Sequence, residues 1–197
     1  MVDFIQSLNI FDLLVVFGLA AMFLVGFIQR TIRRLLGLAA ILFSFLVAST
    51  LRDGLGDFLA SHWHQFPPQY SWMLGYLTVF VVGSLAFSLV IQGFYKPSPL
   101  FPNASLVDEI LGGILGVVEG LLILVAITII LDSTFAASPP VFQSDNEIKV
   151  IRDFWNALNT SGTVGIVRDT PIPIFLVPFG WAVPLDIRSL YHGFLAA

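Results

Sequence analysis

The chain has 197 residues, is 57% hydrophobic and only 11% charged, whereas a soluble domain usually carries about 25% charged residues. Its mean hydropathy of +0.90 and its four long apolar runs predict an all-α integral membrane protein, so bilayer rules govern the fold. A net charge of −4 without a basic face argues against nucleic acid as a partner, and the absence of cysteine excludes disulfides, thiolate metal sites and cysteine catalysis.

The leader MVDFIQSLN has no Lys or Arg, and the apolar run behind it is longer than a signal-peptide core, so that run is expected to remain as a span. Four transmembrane helices are predicted: Ile10 to Ile28, Leu35 to Leu51, Trp72 to Tyr95 and Ile110 to Leu131. Each has the roughly 17–25 residues needed to cross about 30 Å of hydrocarbon. Asp12, near the outer end of the first, is expected to reach water or cap that end. The first connection, QRTIRR, holds Arg30, Arg33 and Arg34, and the proline-rich third, KPSPLFPNAS, holds Lys96. The second holds only Arg52, offset by Asp53 and Asp57. By the positive-inside rule the first and third connections are cytoplasmic and both termini extracytoplasmic. In the outer connection HWH sets His62 and His64 near Asp57, a spacing an extended segment could offer to a metal. No third ligand is fixed by spacing, so these are read as interfacial polar side chains beside Trp63 and Trp72, and no metal site is expected.

The fourth run, SLVDEILGGILGVVEGLLILVAITIILD, carries most of the polar signal. Ser105 and Asp108 have capping-box spacing, and Asp108 and Glu109 sit in the first turn, where the helix dipole favours anions. Gly112, Gly116 and Gly120 recur every four residues, the small-residue stripe that lets helix backbones approach closely in lipid. Glu119 shares that face and is expected to point at protein. Counted from Ile110 at 1.5 Å per residue it lies about 14 Å deep, beyond the arginines. Ser44, Ser84 and Ser88 fall at its level and no Lys, Arg or His does. A neutral carboxyl hydrogen-bonded between helices is therefore expected, with proton or ion handling as the competing reading.

Residues 1–131 are expected to form the transmembrane domain and 132–197 a non-spanning, extracytoplasmic interfacial tail. Within the tail, EIKVIRDFWNALNTSG places Ile148, Ile151, Phe154, Trp155 and Leu158 at helical spacing, predicting an amphipathic helix on the membrane interface or on the bundle. PIPIFLVPFGWAVPLDI is apolar enough for a fifth span. Pro171, Pro173, Pro178 and Pro184, however, each remove a backbone donor that lipid cannot replace, so an apolar loop is expected. DIRSLYHGFLAA is a short helix at best. Asn103-Ala-Ser105 and Asn159-Thr-Ser161 match a glycosylation pattern that is common by chance.

Two stretches, FDLLVVFGLAAMFLVGFIQRTIRRLLGLAA and VDEILGGILGVVEGLLILVAITIILD, resemble the CvpA family, the colicin V production proteins of the bacterial inner membrane, over about residues 9–132. Asp108, Leu111, Gly112, Gly116 and Gly120 agree with that family's pattern, and Arg33 matches its basic position. The family usually has glycine where Arg30 stands and often glutamate where Arg34 stands, whereas Glu109 and Glu119 replace residues that are usually basic. The resemblance implies a four-helix, multi-pass protein of the bacterial inner membrane, linked to toxin production or export and envelope physiology, and supplies no catalytic residues.

The sequence has no P-loop, nucleophile–base pairing, HExxH or dinucleotide fingerprint, so no enzyme and no cofactor is expected. The expected function is that of a scaffold or accessory subunit whose partners are the lipid bilayer and other membrane proteins. The alternatives are a small channel or transporter built on Glu119, and a structural subunit that docks a larger complex through its tail. Few polar side chains in the spans favour the scaffold.

Overall fold

The computed structural model describes residues 9–63, 68–95, 100–101, 103–136 and 149–194. Three long helices come first: α1 (Ile10–His62), α2 (Pro68–Phe94) and α3 (Ser105–Phe135). Short helices follow: α4 (Lys149–Asn159), α5 (Gly162–Asp169), α6 (Pro171–Phe179) and α7 (Leu185–Arg188), with 3₁₀ turns at Gly180–Ala182 and Ser189–Phe194. No strand occurs among the described residues.

A straight helix of 53 residues, the length of α1, would extend about 80 Å, far more than a bilayer is thick. It is not straight. Arg30 has φ 63° and ψ 176°, and the chain reverses there. Met22 of the first limb (10–29) lies against Gly116 of α3, while Gly37 of the second limb (31–62) lies against Glu119 only three residues further along the same helix. The two limbs are thus a hairpin, and the first two expected spans fall one in each. α2 runs antiparallel to the second limb, with Trp72 beside Gly56, Phe80 beside Phe45 and Phe87 beside Phe43. α3 runs antiparallel to the first limb, with Gly112 on Gly26, Gly116 on Met22 and Gly120 on Leu19. α1, residues 70–94 of α2, and α3 are each long and apolar enough to cross a membrane.

Residues 149–194 pack around the end of the bundle remote from Arg30. There α3 is buried from Leu124 to Phe135 except at Ile127, and the expected boundary at 131/132 falls inside it. Phe45, Tyr76, Ile129, Leu158, Val164, Ile172 and Ile187 form one continuous core there, joining α1, α2 and α3 to the terminal helices. The predicted amphipathic helix is α4. It lies on the bundle, with Leu158 fully buried, Trp155 stacked on Phe135 and Phe154 edge-on to Phe11. Ile148 and the side chain of Ile151 lie outside the described residues.

The expected Pro-rich loop is instead helical. Pro171 opens α6 and Pro173 lies in its first turn, where backbone N–H groups have no intrahelical acceptor in any case. Pro178 lies one residue from the helix end, and Pro184 precedes α7. Ile172 and Leu176 are buried, so α6 rests on protein and lipid does not have to satisfy the lost donors.

Candidate functional site

The limb reversal is built from few residues. Asp108 is fully buried; its Oδ1 accepts the Thr31 backbone N–H at 3.4 Å, and its carbonyl accepts the Thr31 hydroxyl at 2.9 Å. It thereby caps the second limb, placing negative charge where that limb's exposed N–H groups concentrate positive potential. Gly112 closes the junction: a Cβ there would stand 2.7 Å from the Arg30 carbonyl carbon. The Arg30 guanidinium lies 3.5 Å from the Glu109 carboxylate, and both are partly exposed.

The expected capping box of Ser105 and Asp108 does not form. Ala104 is the N-cap of α3, and its carbonyl accepts from the N–H groups of Val107 and Asp108 at 3.1 and 3.2 Å. Asp108 is drawn across to Thr31 and does not turn back on its own helix.

Glu119 faces protein, as its place beside the glycine stripe predicts, but its partner is Arg34. The guanidinium donates from Nη1 to Oε2, with Arg34 5% and Glu119 13% exposed. The expectation that no cation reaches this depth is corrected, and with it the reason for a neutral carboxyl. The reversal is sunk to the level of Gly112 and does not sit above the start of α3. From Gly112 to Glu119 is seven residues, about 10 Å; from Arg30 to Arg34 is four, about 6 Å. An arginine side chain spans the difference. Gly37 leaves the room, since a Cβ there would lie 3.0 Å from Glu119 Oε1. Arg34 is therefore a buried member of an ion pair and not a free loop charge, which weakens the arginine count used for orientation.

The three hydroxyls expected on Glu119 are not on it. Ser44 donates to the Ala40 carbonyl within its own helix at 2.7 Å and packs against Gly83. Ser88 accepts from Gln92 at 3.1 Å. Ser84 Oγ is buried without a hydrogen-bond partner. Ser84, Ser88 and Gln92 do share a cleft of about 420 Å³ with Glu119, Arg33 and Arg34. Ser84 and Ser88 thus line the same cleft as Glu119 without bonding it, whereas Ser44, seven residues beyond Gly37 on its limb, packs on Gly83 and does not line that cleft.

At the opposite end polar side chains tie the terminal helices to the bundle. Asp12 is buried and caps twice: it accepts from the Asn9 backbone N–H at 2.9 Å on its own helix, and from the Ser161 hydroxyl and the Thr163 N–H at the start of α5. The expectation that it caps its helix end holds; it does not reach water. Asp132 accepts a two-pronged pair of bonds from Arg168, at 2.8 and 2.6 Å, and another from the Tyr191 hydroxyl at 2.7 Å. Burial and then the neighbouring Asp132 charge push the Tyr191 phenol well above its ordinary value. Burial opposes the Arg168 charge, but bonding to Asp132 outweighs it and raises that pKa too. No sequence motif marks Asp132, Arg168 or Tyr191; an acid directly after an apolar run is the one available signal.

Among the described residues no cluster of His, Asp and Glu is placed to hold a metal. His62 ends α1 in helical conformation, not on an extended segment, while His64 and Lys96 lie outside the described residues. Asp57 instead accepts from the Trp72 indole at 2.9 Å. A family model described as colicin V production protein matches residues 11–156. No curated protein and no solved structure matches the chain. The family match takes in both limbs of α1, α2, α3 and part of α4, and so continues past residue 132, where the resemblance read from the motifs stops. With apolar helices suited to a membrane location, the chain belongs to the colicin V production protein family.

Proposed function

We propose that this protein is a non-enzymatic scaffold or accessory subunit of the inner membrane, serving toxin production or export and envelope physiology. In this reading it crosses the bilayer four times, with both termini outside the cytoplasm. One observation carries the reading: four buried ionisable groups, Asp12, Arg34, Asp108 and Asp132, each join two separate elements. Asp108 bonds Thr31, Arg34 bonds Glu119, Asp12 bonds Ser161 and Asp132 bonds Arg168. Ionisable groups inside a membrane protein usually mark either a pathway or a structural pair, and here the geometry is that of pairs. The backbone approaches at Gly112 and Gly116 support glycine-mediated packing of α3 on the first limb. Val177, Trp181 and Leu185, each at least 75% exposed, give the tail an apolar face suited to the interface or to a docking partner. The test is copurification of the full chain in mild detergent followed by mass spectrometry. A reproducible membrane-protein partner is expected; a chain that runs alone under all mild conditions would overturn the scaffold.

A channel or transporter is the second reading, favoured by the cleft that holds Arg33, Glu119 and Gln92. It requires ion or solute flux in liposomes that is lost in Glu119→Gln while the variant still folds.

A further inference from the structure

The cleft beside Glu119 has a polar and an apolar arm. Arg33, Arg34 and Gln92 line the first; Ile41, Phe80 and Ile127 line the second. Its rim carries Val25, Val81 and Leu85, which are 40%, 42% and 59% exposed, so it opens sideways through an apolar face of the bundle. Two cations and one anion, Glu119, leave it with one net positive charge. The Arg34–Glu119 pair cancels itself. Arg33 has no ion pair or hydrogen bond among the described residues, and two further donors, Arg34 Nε and Ser84 Oγ, are buried without partners. Its volume of about 420 Å³ lies within the range of small-molecule sites.

We propose that this cleft binds an anionic phospholipid, whose phosphate sits on Arg33 and whose acyl chain follows the apolar arm toward Ile127. Charge selects the headgroup, since a zwitterionic lipid brings a cation that Arg33 repels. The sideways opening selects a lipid over a water-borne anion, because the ligand enters from the hydrocarbon. Basic pockets between spanning helices are a recurring solution to holding acidic headgroups. The inference is independent of whether the chain serves as a scaffold or as a pathway.

The experiment uses the full chain in mild detergent, offered equal phosphatidylglycerol and phosphatidylethanolamine of matched chains, with retained lipid counted by native mass spectrometry. A preference of about fivefold for phosphatidylglycerol is expected, the effect of one arginine near an acidic lipid. Arg33→Gln should abolish it and Arg33→Lys should keep most of it. Arg30→Gln, in the same turn but outside the cleft, should leave it intact. Val81→Trp, which narrows the lateral opening without changing charge, should reduce retention of both lipids. Equal retention of the two lipids by the wild type, or equal losses in Arg30→Gln and Arg33→Gln, would overturn the site. Displacement by excess glycerol phosphate would show a simple phosphate site and overturn the lipid assignment. A Val81→Trp chain that changes oligomeric state, with lipid preference unaltered, would identify a second copy as the occupant and also overturn it.

Discussion

Replacing Arg30 by glycine should stabilise this protein, and replacing it by alanine should not. At φ 63° and ψ 176° Arg30 occupies a region that is essentially reserved for glycine, at a cost of about 1–3 kcal/mol for any side chain with a Cβ. Both substitutions remove the ion pair to Glu109, worth about 0–1 kcal/mol between partly exposed groups. Only glycine relieves the strain, against about 0.5–1 kcal/mol for its greater freedom in the unfolded chain. The Arg30→Gly chain should thus exceed Arg30→Ala by roughly 0.5–2 kcal/mol, or several degrees in Tm for a chain of this length. In an ordinary helix the order is the reverse, which makes the sign diagnostic. Thermal unfolding of both variants in the same detergent is the assay. An alanine variant as stable as the glycine variant would refute the strained reversal, and with it the placement of the limbs about Arg30. The family's usual glycine at this position, implied by the resemblance, is what such a backbone would favour.

Glu119→Gln should be strongly destabilising, by about 3 kcal/mol, because it strands the buried Arg34 charge. The double change Arg34→Leu with Glu119→Leu should recover most of the loss, as should the exchanged pair Arg34→Glu with Glu119→Arg; Tm values that simply add would show the pair is not coupled. Gly116→Ala should lower Tm well below Gly120→Ala, since a Cβ at 116 meets the Met22 backbone whereas at 120 it meets only the movable ends of Leu19 and Met22; equal effects would contradict this packing. Tyr191 has a raised pKa when folded, so its contribution is complete below its unfolded value of 10.0 and declines as pH rises above that. The stability of wild type should accordingly fall more steeply than that of Tyr191→Phe above pH 10, and parallel denaturation profiles would refute it. A reporter fused after Ala197 should be active only outside the cytoplasm, and cytoplasmic activity there would reverse the orientation.

The charge exchange between Arg34 and Glu119 shows where sequence reading stops. The resemblance marks both positions as departures, since glutamate is frequent at the first and a basic residue usual at the second. Read singly, each looked like a lost family feature. Side by side in the bundle the two departures are opposite charges that pair with each other. Their separation of 85 positions along the chain hides this coupling.

Composition and apolar run length were enough to establish an all-helical membrane protein, because bilayer thickness and the need to satisfy every backbone group leave few alternatives. The glycine spacing in α3 was likewise sufficient to orient Glu119 toward protein, because helical periodicity places side chains on faces without reference to any neighbour. Partners were another matter. Whether Arg34 reaches Glu119 depends on how far the Arg30 reversal sinks beside Gly112, a relative height of two elements that no periodicity records. Asp108 serves another helix, and the prolines of α6 are tolerated because Ile172 and Leu176 find a protein surface. Local sequence sets which way a side chain points along its own element; only tertiary structure sets what it meets there.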